Sequence, residues 1–174
     1  SLVYSGLTKY DPKQQKIVPD LATFQVSPNR REYTFFIQPG VHWHDGVAFS
    51  ADDVLFTYET IQKKEYNNTL LKKRFTDIKV EKVDDSTVRF TLPKPYVFFP
   101  TVTTLGIIPK HIWETIPVDT FAQSSLNYSP IGTGPYMADS TGLVHSQNTT
   151  SAQIVTLLRN ATFYGAKPYI EKIQ

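Results

Sequence analysis

The chain has 174 residues, 40% of them hydrophobic and 13% aromatic, with 18 Lys+Arg against 16 Asp+Glu for a formal charge of +2. That is enough for one domain with a real core, and it excludes a disordered or fibrous chain. Evenly mixed charge argues against a nucleic-acid partner, and the absence of cysteine excludes a thiolate metal site, a disulfide framework and a cysteine nucleophile.

No run approaches about 18 consecutive apolar residues, so no helix here is expected to cross a membrane. The chain opens at Ser1 with no charged-then-apolar leader, and it stops at Gln174 just after the strand-like alternation Tyr169–Ile173. Both ends read as those of a piece of something larger.

In chain order, the first forty residues alternate like short strands broken by turns: Val3–Tyr4 before Gly6, Tyr10 before Asp11–Pro12, and Pro19–Asp20 before Leu21. Residues 33, 35 and 37 of Tyr33–Ile37 share one face, which predicts a strand ended by the Pro39–Gly40 turn. Ser50-Ala51-Asp52-Asp53 has the spacing of a capping box with Asp replacing Glu, and Val54, Leu55, Tyr58 and Ile61 continue at helical spacing. Ile78 and Val80, the turn Asp84–Asp85–Ser86, and then Val88, Phe90 and Leu92 predict a hairpin. The run Tyr96–Phe99 opens another apolar segment, and Ile107–Ile108–Pro109 leads into a short helix around residues 111–115. Residues 117–135, rich in Ser, Asn, Gly and Pro, read as a connection, with a subdomain boundary near 115. The fold class is therefore mixed α+β, rich in strands with few helices.

The chemical constellations are weak when taken singly. His42 and His44 would share a strand face, as two metal ligands would, yet no cluster supplies a third and fourth; a His44-Asp45-Gly46 turn is the simpler reading. Gly132-Thr133-Gly134 resembles half a phosphate loop, but Pro135 follows where an amide donor should stand. The pairs Asp52–Asp53 and Asp84–Asp85 have sufficient roles in a cap and a turn, and Lys72–Lys73–Arg74 reads as a solvated basic face. No Ser/His/Asp set is recognisable, so the chain is not read as an enzyme, and no cofactor is implied.

The order of the pieces is more specific. They are Tyr4-Ser5-Gly6-Leu7 with Tyr10-Asp11; Val18-Pro19-Asp20-Leu21-Ala22; Tyr33-Thr34-Phe35; Gly40-Val41-His42-Trp43-His44-Asp45-Gly46; Ala51-Asp52-Asp53-Val54; Ile108-Pro109-Lys110-His111-Ile112-Trp113; Gly132-Thr133-Gly134-Pro135-Tyr136; and Arg159-Asn160 with Tyr164 and Lys167-Pro168-Tyr169. Together they resemble the family 5 extracellular solute-binding proteins, the peptide- and nickel-binding receptors of ATP-driven (ABC) importers.

That resemblance implies a two-lobed, periplasmic-binding-protein-like fold of which this chain is part of the first lobe. Residues 1–7 would be a cleft-side strand of the main lobe, 8–115 a β-rich extra subdomain, and 116–174 the start of the main first lobe. It also implies a peptide ligand, a membrane permease as partner, an extracytoplasmic location with any membrane attachment through a lipid anchor outside this piece, and Tyr4, Ser5, Gly6 and Leu7 as ligand-facing residues, with a buried strand end as the competing reading of that segment. Receptors for nickel chelates or oligosaccharides belong to the same family, and a stand-alone protein-interaction module is the alternative from another class. The stretch from Lys64 to Thr76 is shorter than in the large oligopeptide receptors, so the ligand contacts that those receptors make there are not carried over to this chain.

Overall fold

The computed structural model describes residues 1–139 and 156–174. The strands β1 (Thr8–Asp11) and β2 (Lys16–Pro19) form an antiparallel hairpin, whose turn is organised by the Asp11 carboxylate accepting from the Lys13 and Gln14 amides at 2.8 and 3.2 Å. β3 (Ala22–Val26) then pairs antiparallel with β4 (Glu32–Ile37). Next come helix α1 (Ala51–Gln62), helix α2 (Thr69–Phe75) and the hairpin β5 (Lys79–Asp84) and β6 (Thr87–Thr91). The returning strand docks on β4, so the sheet order is β3-β4-β6-β5. The single-turn helices α3 (Phe99–Val102) and α4 (Lys110–Trp113) and two 3₁₀ turns, Val118–Gln123 and Ser125–Tyr128, lead to a third sheet of β7 (Tyr136–Ala138), β8 (Leu157–Arg159) and β9 (Lys172–Ile173).

Alternation places the core. On β4 Tyr33 and Phe35 are buried while Phe36 is exposed, and on β6 Val88 and Phe90 are buried on the same face of the sheet. Val54, Tyr58 and Ile61 of α1 pack against them. Phe35, Phe90, Tyr58 and Phe75 form a chain of edge-to-face rings with centroids 5.5, 4.8 and 4.9 Å apart, the geometry that aromatic quadrupoles favour.

The capping box is present at Ser50: its amide donates to Asp53 Oδ2 at 3.0 Å, and its hydroxyl accepts from the Asp52 amide at 3.3 Å. The two carboxylate pairs divide their work structurally. Asp52 and Asp85 flank Lys82 at 2.8 and 2.7 Å, and Asp84 accepts from the Ser86 amide at 2.8 Å.

Several elements depart from the sequence expectation. The basic run Lys72–Lys73–Arg74 lies on α2, a helix started by Asn68, whose carbonyl accepts from the Leu71 amide at 3.0 Å. Seven residues with only Phe75 buried are too few to show a periodic apolar stripe. Tyr96, Val97 and Phe98 are exposed, and only Phe99 enters the core, because the chain turns into α3 at that point. Residues 1–7 contain no strand but are hydrogen-bonded to distant segments, and Tyr169 and Ile170 stand in solvent before the two-residue β9.

Candidate functional site

Residues 2–7 are held by their carbonyls from both sides. Val3 and Leu2 accept from the Gly134 and Tyr136 amides at 2.7 and 3.0 Å, and Ser5 accepts from Ile107 at 2.9 Å. Gly6 and Leu7 accept from Leu21 and Ala22 at 3.1 and 3.2 Å. The crossings are so close that side chains are excluded: a Cβ on Gly6 would lie 2.7 Å from the Thr104 carbonyl, and one on Gly132 would lie 1.9 Å from the Val3 oxygen. The glycines of Tyr4-Ser5-Gly6-Leu7 and Gly132-Thr133-Gly134 are thus packing partners of backbone far away in sequence.

A histidine locks this crossing. In the His44-Asp45-Gly46 turn, Gly46 has φ +88° and the backbone amide of His44 donates to the Gly132 carbonyl at 2.9 Å. The ring accepts from the Gly132 amide on Nδ1 at 3.2 Å and donates from Nε2 to the Gly134 carbonyl at 3.0 Å. That pattern requires the neutral imidazole, and burial pushes its pKa below the usual value, with the Gly134 carbonyl and the Asp45 charge opposing. His111 bonds Asp45 at 2.8 Å from the outer side. The unfolded chain takes up a proton at His44 before the native chain does. Stability from this contact is therefore complete above about pH 6.5 and falls as pH drops below it. A urea midpoint that declines from pH 7.5 to 5, with a smaller decline for His44→Gln, is the expected result. His42 instead donates from Nδ1 to the Gly40 carbonyl, 2.9 Å away, and no metal-binding group of side chains exists among the described residues.

Two cavities flank the segment, and Tyr4 lines both. The smaller, about 400 Å³, has Thr57, Thr60 and Ile61 of α1 on one wall and Leu71 of α2 on another. Trp113 and Phe121 close it, with ring centroids 4.7 Å apart. The larger, about 750 Å³, is lined by Ser5, Gly6, Lys9, Asp20, Tyr136 and Phe163. In it Lys9 pairs with the buried Asp20 carboxylate at 3.0 Å, and the Tyr164 hydroxyl donates to the same oxygen at 3.0 Å. Burial and the Asp20 charge push the Tyr164 phenol pKa up, and burial does the same to Tyr4.

Of the four residues expected to face ligand, Tyr4, Ser5 and Gly6 border cavities; Leu7 is fully buried in the core and borders neither. Lys9, Thr60 and Leu71 were not foreseen, since nothing local marks them. Asp20, Trp113 and Tyr164 lie in pieces that carry the family resemblance, which assigns them no role.

Residues 16–174 match the model of the bacterial extracellular solute-binding proteins, family 5, middle region. The chain is 30% identical over 178 residues to a putative ABC transporter peptide-binding protein of Brucella ovis, covering 98% of this chain and 31% of that one. Among solved structures, NikZ from Campylobacter jejuni in complex with Ni(L-His) is 38% identical with a TM-score of 0.84, over 98% of this chain and 32% of that one. The oligopeptide-binding protein AppA of Bacillus subtilis in complex with a nonapeptide is 29% identical with a TM-score of 0.83, over 98% and 33%. The chain thus spans about a third of the length of these relatives. Its strand-rich α+β architecture is part of the two-lobed fold of periplasmic binding proteins. With the family model spanning all but the first fifteen residues, the chain belongs to the family 5 bacterial extracellular solute-binding proteins.

Proposed function

We propose that this chain supplies part of the first lobe of an extracytoplasmic receptor that captures peptides and delivers them to the membrane permease of an ABC importer. Capture is reversible and involves no bond making, and any attachment to the membrane is through a lipid outside this piece. The observation that carries the reading is that Tyr4, in the segment singled out by resemblance, is the shared wall of two adjacent cavities in a family 5 chain. In this reading Tyr4, Ser5 and Gly6 face the ligand and Leu7 anchors them from the core. Residues 1–7 serve as the cleft edge, 8–115 as the extra subdomain and 116–174 as the start of the main lobe.

Half a cleft forgoes the contacts of the opposite lobe, so this chain alone should bind weakly. A thermal-shift screen of the two-lobed receptor and of this chain tests the proposal. Peptides at 100 times Kd should stabilise the receptor by about 2.7 kcal/mol and shift this chain little at the same concentration. A second reading, capture of a nickel chelate, is favoured by the 38% identity to the protein solved with Ni(L-His). Stabilisation by nickel–histidine or by oligosaccharides, with none by peptides, would replace the first reading.

A further inference from the structure

We propose that the smaller cavity is a subsite for an uncharged apolar group of the captured ligand, an aromatic or branched aliphatic side chain. The proposal rests on the peptide reading above and names what this side of the site selects.

Its volume of about 400 Å³ falls at the lower end of the range of about 300–1,000 Å³ typical of small-ligand sites. Among the described residues none that lines it carries a charge. Its apolar surface comes from Trp113, Phe121, Ile61, Leu71, Leu105 and Ile108.

Several of the polar side chains that line it hydrogen-bond the chain's own backbone. Asn68 accepts from the Leu71 amide at 3.0 Å; Asn67 donates to the Asp119 carbonyl at 3.2 Å; Asn127 donates to the Phe121 and Ser124 carbonyls at 2.7 and 3.0 Å. The hydroxyls of Tyr4, Tyr66 and Thr60 add to the neutral polar lining, and Thr60, 1% exposed, has no hydrogen-bond partner for its Oγ1. Neutral hydroxyls and amides can serve a phenol or an amide, but they supply no counter-charge for a buried ammonium or carboxylate. The larger cavity differs in kind, since Lys9 and Asp20 stand in its wall. A ligand lying across Tyr4 therefore meets charge on one side and finds none on the other.

The test uses the two tryptophans as paired reporters. Trp113 lines the cavity, whereas Trp43 is 1% exposed and packs on Phe49 in the core. The indole N–H resonances of the ¹⁵N-labelled chain are followed during titration with the N-acetyl amides of phenylalanine, leucine, lysine and glutamate. The uncharged probes should move Trp113 and leave Trp43, and the charged probes should bind about tenfold or more weakly. Asn68→Asp keeps the helix cap, because Asp serves there as well as Asn, and it places a carboxylate at the rim. It should narrow the gap between lysine and phenylalanine probes at low salt.

Equal affinity for charged and uncharged probes overturns the proposal, as does a Trp113 resonance that ignores every probe at millimolar concentration. Either result alongside peptide binding by the two-lobed receptor sinks the subsite alone. A receptor that takes nickel–histidine and no peptide, while Trp113 still answers to phenylalanine amide, sinks the peptide reading alone.

Discussion

Gly132→Ala is expected to strip residues 2–4 from the body of the protein. The added Cβ would sit 1.9 Å from the Val3 oxygen, which is backbone and cannot rotate aside. The segment must retreat, and with it go the hydrogen bonds from Gly134 to Val3 at 2.7 Å and from Tyr136 to Leu2 at 3.0 Å. The His44 ring loses its footing too, because it accepts from the Gly132 amide itself. Overpacking of this kind costs about 3 kcal/mol, or a fall in Tm of roughly 6–12 °C for a chain of this size. Hydrogen exchange should show the Gly134 and Tyr136 amides opening faster than those of β4 and β6. Because Tyr4 lines both cavities, the variant should also weaken ligand binding in the two-lobed receptor. Wild-type stability together with unchanged Gly134 and Tyr136 protection would refute this account of the crossing.

Asp53→Ala should cost at least as much through a different mechanism. The Asp53 side chain is buried and accepts from three donors on three segments: the Ser50 amide at 3.0 Å, the Lys110 amide at 2.9 Å and the Trp43 indole at 3.3 Å. Burial pushes its carboxyl pKa up while those three donors pull it down, so the group is held in place by hydrogen bonds. Truncation would orphan these buried and part-buried donors, at about 1–3 kcal/mol for each that stays unsatisfied, so a loss of about 4 kcal/mol in urea unfolding is expected. Asn in this place retains an accepting oxygen but turns an N–H₂ toward another N–H, and it should fall between Ala and wild type. Freed from Asp53, the start of α4 should loosen and carry Trp113 with it. Phenylalanine-amide binding at the smaller cavity should then be lost before global unfolding. An alanine variant within about 1 kcal/mol of wild type would show that water replaces the carboxylate.

Asp53 also shows how far the sequence could be read. The capping box at Ser50 was legible because it spans four residues, and so was the helix it starts. The hairpin of β5 and β6 was legible for the same reason, with its two-residue period on either side of an Asp-rich turn. That the same carboxylate would also fasten α4 and the loop bearing Trp43 was not legible, since its partners lie 57 and 10 residues away. Likewise, the His44 turn was recognised as a turn, while its docking on Gly132 and Gly134, about ninety residues later, was not.

By itself, then, the sequence determined the fold class, the main strands and α1, and family membership. Those depend on local periodicity, on caps and turns, and on the order of short pieces along the chain, all of which one dimension preserves. Only the tertiary structure decided that Tyr4 divides two cavities, that one is free of charge and the other holds Lys9 against Asp20, and that α2 and the 3₁₀ turns wall the first. Cavities are made of side chains brought together from distant segments, and the packing that joins them leaves no periodic trace in the chain.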